Sequence, residues 1–160
     1  VKTAADRDAL RAGLLDGAVD VVATDHAPHT LEEKERPYAS APSGGPLVQH
    51  SLPMMLELSA QGVLPVETVV EKMCHAPARL FGVRDRGFLR TGHFADIVLV
   101  RPADPWTVSK ENILYKCGWS PLEGTAFSHR IVRTLVNGRT VYADGRVDTT
   151  HRGAELEFDR

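Results

Sequence analysis

The chain has 160 residues, of which 42% are hydrophobic and 25% are charged, a balance typical of a globular domain and not of a disordered segment. Nineteen Lys and Arg against 21 Asp and Glu leave a formal charge of −2, which does not favour binding to nucleic acid or to an anionic membrane. The apolar runs are short, as at 19–23, where Asp20 interrupts the run, and they are far shorter than the ~20 residues of a membrane span. The first residues contain no apolar signal-peptide core,. Cys74 and Cys117 lack the spacing of a metal site, so we expect reduced thiols in a cytoplasmic protein.

The first part of the sequence is expected to be mainly helical. Thr3 has the position of an N-cap with Asp6 three residues later, which predicts a helix that ends before Gly17,. Residues 19–24 are a short β-branched run typical of a buried parallel strand, so helix and strand together predict an αβ unit,. A long polar loop follows at 25–45. Further helices are predicted at 47–59, 65–73 and 76–81.

From Gly87 on, the sequence changes to short runs of strand-forming residues. These runs lie at 96–100, 106–108, 127–136 and 139–143. The dipeptide Asn137-Gly138 separates the last two runs and predicts a two-residue β-hairpin turn,. We therefore expect a mainly β second part, arranged as a piece of a sandwich.

Residues suited to chemistry concentrate where the predicted strand ends. Asp25 follows that strand directly, and a carboxylate at the C-terminal edge of a sheet can bind a metal or transfer a proton. His29 lies four residues later and can donate a hydrogen bond to an anionic ligand. The alternative is that Asp25 caps the loop and that His29 is a polar surface residue. The position at a strand end and the long loop that follows favour the functional interpretation slightly.

Residues 42–46, Pro-Ser-Gly-Gly-Pro, are the second candidate. The pair Gly44 and Gly45 lets backbone groups approach a ligand closely, but it is equally typical of a turn before a helix, and the pattern alone favours the turn. The other histidines, such as His50, lack HxH or HExxH spacing and are expected to be packing or surface residues,. Residues 117–119 are expected to form a packed turn.

Residues 23–30, Ala-Thr-Asp-His-Ala-Pro-His-Thr, resemble the sequence that ends the barrel of dihydroorotases, which belong to the amidohydrolase superfamily. Four later segments resemble the same family in the same order. They lie at 41–50, 75–82, 92–100 and 116–124. The Thr-Asp-His-Ala-Pro-His run discriminates best, because hydantoinases and allantoinases usually carry other residues at the two positions after Asp-His.

The resemblance implies an α/β fold: residues 1–86 as the C-terminal end of a metal-dependent hydrolase (β/α)8 TIM barrel, and residues 87–160 as the C-terminal share of a small β-sandwich domain. It also implies the site. Asp25 would bind Zn2+, one or two ions in the complete protein, and act as general acid and base. His29 would hold the substrate carboxylate, and the backbone of Ser43 and Gly44 would contact the ring amide.

The reaction that the resemblance implies is the reversible cyclisation of N-carbamoyl-L-aspartate to dihydroorotate, a step of pyrimidine biosynthesis. The partner is then this small-molecule substrate, and a homodimer of the complete protein is compatible with the family. The chain lacks the family's HxH pair, its carboxylated lysine and its further histidines, and a (β/α)8 barrel needs ~200 residues or more. We therefore expect the C-terminal portion of a dihydroorotase that is inactive on its own.

Two alternatives remain open at this point. One is a metal-free, dihydroorotase-like scaffold that supports a transcarbamoylase, and the other is a different cyclic amidohydrolase, such as a hydantoinase or allantoinase. The presence of Asp25 and His29 favours an enzyme over a scaffold.

Overall fold

The computed structural model describes residues 1–159, in which the longer helices precede the strands. The α-helices are α1 (Ala4–Asp16), α2 (Leu31–Lys34), α3 (Ser51–Ala60), α4 (Val66–Val70) and α5 (Ala76–Phe81). The strands are β1 (Ile97–Arg101), β2 (Trp106–Thr107), β3 (Ala126–Phe127), β4 (Arg130–Val136), β5 (Arg139–Ala143) and β6 (Arg146–Val147). The predicted change from helical to β structure is confirmed. Over these 159 residues, no helix is long and apolar enough to span a membrane.

Helix α1 begins and ends where its capping residues predict. The Thr3 hydroxyl oxygen accepts a hydrogen bond from the Asp6 N–H at 3.1 Å, and the Asp6 carboxylate accepts one from the Thr3 N–H at 2.9 Å. This reciprocal pair satisfies two backbone donors that an α-helix leaves without partners at its start. Gly17 ends the helix in the left-handed conformation,.

The strand predicted at 19–24 is wrong. The structure assigns no strand to this described segment, and its backbone binds Lys72 instead. The Val19 carbonyl accepts a hydrogen bond from the Lys72 ammonium at 2.5 Å, and the Val22 N–H donates to the Lys72 carbonyl at 3.0 Å. A β-branched run becomes a strand only where a neighbouring strand offers a hydrogen-bond ladder. Here the partner is a helical residue, Lys72, which provides one donor and one acceptor and not a ladder. The predicted αβ unit therefore does not form.

A π-helical turn at Glu71–His75 joins α4 to α5 and explains why the Lys72 carbonyl is available. The N–H of Ala76 donates to the Glu71 carbonyl, one residue further back than in an α-helix,. The next residue is Pro77, which has no N–H to donate. The Lys72 carbonyl is thereby left for Val22.

Contacts divide the chain into two compact units. The first unit comprises Val1–Val22, Leu58–Arg101 and the residues from Ile131 onward, and the second comprises Ala23–Glu57 and Pro102–Arg130. The domain boundary expected near residue 87 concerns a complete amidohydrolase and stays a prediction.

A four-stranded sheet in the order β1-β4-β5-β6 belongs chiefly to the first unit. Strands β4 and β5 pair antiparallel, with Val136 opposite Arg139. Between them, Asn137 and Gly138 both have positive φ angles, of 51° and 77°, as a type I′ hairpin turn requires. The hairpin that the Asn-Gly dipeptide predicts is confirmed.

The second unit contains the antiparallel pair β2–β3 and the first turns of α3. Its buried apolar side chains include Met55, Leu56, Val108 and Phe127. A 3-10 helix at Val48–His50 leads into α3. Because β2–β3 and the four-stranded sheet are separate sheets, the sandwich arrangement stays a prediction.

Candidate active site

The two segments that the sequence analysis singled out lie side by side in the second unit. His26 forms a parallel bridge to Gly45, and the Ala27 N–H donates to the Gly45 carbonyl at 3.0 Å. The His26 Nδ1 atom accepts hydrogen bonds from the N–H groups of Leu47 at 3.1 Å and Val48 at 3.3 Å. The structure therefore brings residues 25–29 together with residues 43–46, and His26 has a positioning role that the sequence pattern did not reveal.

Gly44 is the point of closest approach between the two segments. Its φ angle is 82°, and a Cβ atom added there would lie 2.6 Å from the Cβ of Ala27. That distance is far below ordinary van der Waals contact, so a side chain at this position would collide with Ala27. The positive φ angle also favours glycine. The glycine pair is more than the simple turn that the pattern alone favours.

Asp25 has the left-handed backbone conformation, with a φ angle of 46°. Its residue is exposed, and no hydrogen bond or ion pair joins its carboxylate to another residue within 1–159. A non-glycine residue in this conformation costs about 1–3 kcal/mol, and such strain concentrates at functional sites. Aspartate tolerates the conformation better than most residues. The carboxylate is thus held in place by its backbone and is available to a ligand.

His29 is fixed by contacts on both its side chain and its backbone. Its Nδ1 atom lies 3.5 Å from the Glu33 carboxylate, and its carbonyl accepts a hydrogen bond from the Trp119 indole N–H at 2.8 Å. A backbone hydrogen bond from Thr30 lowers the pKa of Glu33, and the charge of His29 adds a smaller effect. Glu33 is therefore ionised at neutral pH and presents an acceptor to the facing Nδ1 atom,. Trp119 was expected only to form a packed turn, and its contact with His29 was missed.

In the loop 42–45, the carbonyl groups of Pro42, Gly44 and Gly45 accept hydrogen bonds, while some of the N–H groups are free. The carbonyls of Pro42 and Gly44 accept hydrogen bonds from Lys34, and that of Gly45 accepts one from Ala27. Ser43 and Gly44 are exposed, and their N–H groups have no acceptor among the described residues. The loop therefore offers backbone donors to a ligand.

His50 lies in the core of the second unit, as the packing interpretation predicts. It is completely buried, and its Nδ1 atom lies 3.3 Å from both the Tyr115 hydroxyl and the Ser120 hydroxyl. The rings of Trp106 and Phe127 are its aromatic neighbours. Burial lowers the pKa of His50, because the charged imidazolium loses its hydration in this apolar environment. The side chain is therefore neutral at physiological pH.

Asp25 is the one residue that the sequence analysis expects to bind zinc. Throughout residues 1–159, no group of three or more His, Cys, Asp and Glu side chains is arranged to hold a metal ion. A protein zinc site takes three or four protein ligands. The residues of this chain by themselves do not fit a zinc ion, and we assign no chemical step to a metal.

A model of the amidohydrolase family matches residues 2–141. The chain belongs to the amidohydrolase family. The dihydroorotase of Pelobacter propionicus is 42% identical over 142 residues, which are 89% of this amidohydrolase chain and 33% of the relative. The dihydroorotase of Halobacterium salinarum is 41% identical over 136 residues, 85% of this chain and 32% of the relative. The chain thus spans about a third of the length of the curated relatives it matches.

Solved amidohydrolase structures share the fold of this chain. The L-hydantoinase (dihydropyrimidinase) of Arthrobacter aurescens matches it with a TM-score of 0.83 and 30% identity, over 92% of this chain and 34% of that one. A D-hydantoinase structure matches with a TM-score of 0.84 at 23% identity, over 91% of this chain and 33% of its own. The chain therefore has part of the amidohydrolase fold, while its barrel and sandwich assignments stay predictions.

We expect the free energy of unfolding to fall as the pH drops below about 6.5, the pKa of an unperturbed histidine. Below that pH the unfolded chain binds a proton at His50 that the folded chain, with its lowered pKa, does not bind. The slope from this one group is at most about 1.4 kcal/mol per pH unit. Chemical denaturation of the wild type and of His50→Gln from pH 5 to 8 measures the pH dependence of the free energy of unfolding in each protein. The other six histidines are common to both proteins, so parallel pH profiles would contradict this role.

We expect Gly44→Ala to separate the two segments of the site, because the new methyl group collides with Ala27. Gly124→Ala is the matched control, since Gly124 has a φ of 83° and no neighbouring atom within 4 Å of an added Cβ. The control should lose about 1–2 kcal/mol for the left-handed backbone alone. Gly44→Ala should lose more and should accelerate hydrogen exchange of the Ala27 N–H. Equal effects of the two substitutions would show that the close approach does not matter.

Proposed function

We propose that this chain contributes two functional residues to a dihydroorotase, an enzyme that interconverts N-carbamoyl-L-aspartate and dihydroorotate. Asp25 is the general acid and base, and His29 binds the carboxylate of the substrate. The observation that carries the proposal is the pairing of the two segments. It combines an exposed and unpartnered Asp25 with a loop that has free N–H groups at Ser43 and Gly44. The dihydroorotase relatives at about 40% identity support the same reaction.

The chemistry requires one proton to be moved. In the hydrolytic direction, water adds to the ring carbonyl of dihydroorotate, the carbon–nitrogen bond breaks, and the products are a free ureido NH2 group and a carboxylic acid group that then loses its proton to solvent. An amide nitrogen leaves only when it gains a proton. Asp25 accepts the proton that the water loses and gives it to this nitrogen. In the direction of cyclisation the substrate carboxylate first takes a proton from solvent, Asp25 moves one proton from the ureido nitrogen to the departing oxygen, and one water is released.

Asp25 is suited to this task because nothing else in the described chain uses its carboxylate. The zinc that the family resemblance implies remains an expectation for a complete protein, and Asp25 is the ligand that this chain would contribute. The free N–H groups of Ser43 and Gly44 would bind the amide edge of the ring. Both roles place the ring between residues 25–29 and the loop 42–45.

His29 would hold the carboxylate of the substrate. Its Nδ1 atom faces the Glu33 carboxylate, which leaves the Nε2 atom for a ligand; Nε2 is an acceptor in a neutral ring with its proton on Nδ1 and a donor in the imidazolium. The imidazolium form can donate from both nitrogens at once. A charge-assisted hydrogen bond from Nε2 to a carboxylate then adds substrate affinity.

A hydantoinase is the second candidate, and the Arthrobacter aurescens L-hydantoinase match supports it. Both enzymes open cyclic amides, but the hydantoin ring carries no carboxylate of the dihydroorotate kind. The non-catalytic scaffold is disfavoured by the exposed Asp25, whose strained backbone has no structural partner to explain it. Substrate choice therefore separates the two enzymatic alternatives.

We expect a fusion in which this chain replaces the matching third of the Pelobacter propionicus dihydroorotase to hydrolyse dihydroorotate. Asp25→Asn should reduce kcat by a factor on the order of 10³ or more, because an amide cannot accept the proton. Asparagine tolerates the left-handed backbone, so the melting temperature should not change. Asp20→Asn, at an exposed position nearby, is the control.

Turnover by Asp25→Asn within about tenfold of the unsubstituted fusion, which is only ~1.4 kcal/mol of barrier, would remove Asp25 from the mechanism. Faster turnover of hydantoin than of dihydroorotate would favour the second candidate.

We expect His29→Ala to raise KM for dihydroorotate about tenfold or more in the same fusion, with a smaller change in kcat, because a binding contact is lost. Dihydrouracil is the matched substrate, since it has the same ring without the carboxylate. Its KM should be unaffected by the substitution. An equal rise of KM for both substrates would mean that His29 does not bind the carboxylate.

A further inference from the structure

Lys34 lies at the end of α2 and is the residue from which this inference starts. Its ammonium donates hydrogen bonds to the carbonyl of Pro42 at 2.5 Å and to the carbonyl of Gly44 at 2.9 Å. The side chain is partly buried, and no carboxylate among residues 1–159 forms an ion pair with it. A cation that binds two carbonyl groups of one short loop fixes the conformation of that loop.

We propose that Lys34 is a positioning residue of the candidate site, which holds the loop 42–45 in the conformation that binds substrate. The inference deepens the proposed function and rests on it for the part that concerns turnover. Its structural part concerns only contacts within the second unit, and it stands independently of the reaction.

The neighbouring residue on α2 supports this assignment. Glu33 faces His29 at 3.5 Å, while Lys34 binds Pro42 and Gly44. Adjacent side chains of one helical turn therefore reach both halves of the site. The turn itself is held by a capping box, in which the Glu33 carboxylate accepts a hydrogen bond from the Thr30 N–H at 2.9 Å. An isolated turn of four residues is not stable in water, so this cap and these contacts maintain it.

The effect on binding follows from the glycines of the loop. Two consecutive glycines have many accessible backbone conformations, and Lys34 restricts them by binding the carbonyls on either side of Ser43. Without the ammonium, substrate binding must order the loop at the cost of affinity. We therefore expect that removal of the Lys34 ammonium raises KM both for a substrate with a carboxylate and for one without it, while kcat changes little.

The first experiment uses the full 160-residue chain and measures backbone hydrogen exchange by NMR. Lys34→Met removes the donors and keeps most of the side-chain volume, and Lys34→Arg keeps the charge and the donors. Lys116→Met is the control, at an exposed lysine of the second unit. In Lys34→Met, exchange of the Ala27 N–H, which is bound to the Gly45 carbonyl, should accelerate about tenfold or more. Exchange within α1 should not change.

Lys34→Arg should recover part of the protection, and Lys116→Met should behave as the wild type. Unchanged exchange at Ala27 in Lys34→Met would overturn the proposal. A uniform acceleration that includes α1 would overturn it too, because it would indicate a general loss of stability.

The second experiment measures kinetics in the fusion protein described above. Lys34→Met should raise KM about tenfold for both dihydroorotate and dihydrouracil, with kcat within about threefold, and Lys34→Arg should restore much of the affinity. A rise for dihydroorotate alone would mean that Lys34 binds the carboxylate directly and would overturn the positioning role. If the unsubstituted fusion fails to act on either ring, the proposed function fails, whereas the exchange experiment still decides the role of Lys34.

Discussion

The imidazole of His26 joins the two halves of the candidate site. The Nδ1 atom of His26 accepts hydrogen bonds from the N–H groups of Leu47 and Val48, which requires the ring proton to be on Nε2. Asp25 and the bridge from Ala27 to Gly45 flank this contact. The site therefore depends on one acceptor atom that has no role in the proposed chemistry.

The segment 102–130 supports this arrangement from a distance in sequence. Trp119 binds the carbonyl of His29, 90 residues earlier. The Tyr115 hydroxyl accepts a hydrogen bond from the Gln49 N–H at 2.9 Å, and its ring centroid lies 5.3 Å from that of His26. Burial raises the pKa of Tyr115, so its hydroxyl keeps its proton and can donate to the neutral, fully buried His50. The loop and the core are thus connected through the side chains of Trp119 and Tyr115.

Local structure could be predicted from the sequence because its causes are local. The capping box of Thr3 and Asp6 and the turn at Asn137-Gly138 each depend on residues within a few positions of one another. The strand predicted at 19–24 fails for the opposite reason, since a strand depends on a partner that the pattern does not identify. The contact of Trp119 could not be predicted from the sequence, because its partner is distant along the chain. The positive φ angle of Asp25 could not be predicted either, because the local residue pattern does not indicate it. The Asp-His-Ala-Pro-His run located the site, but it did not reveal which contacts hold that site together.

The missing N–H of Pro77 has a consequence for the cooperativity of the first unit. It leaves the Lys72 carbonyl for Val22, while the Lys72 ammonium binds the carbonyl of Val19. Lys72 therefore forms hydrogen bonds with the segment after α1 through both its backbone carbonyl and its side-chain ammonium. If the π-helical turn at Glu71–His75 opens, that segment loses both partners in the same event. The amino-terminal segment and the helical stretch from α4 to α5 then form one cooperative unit, although some fifty residues of sequence separate them.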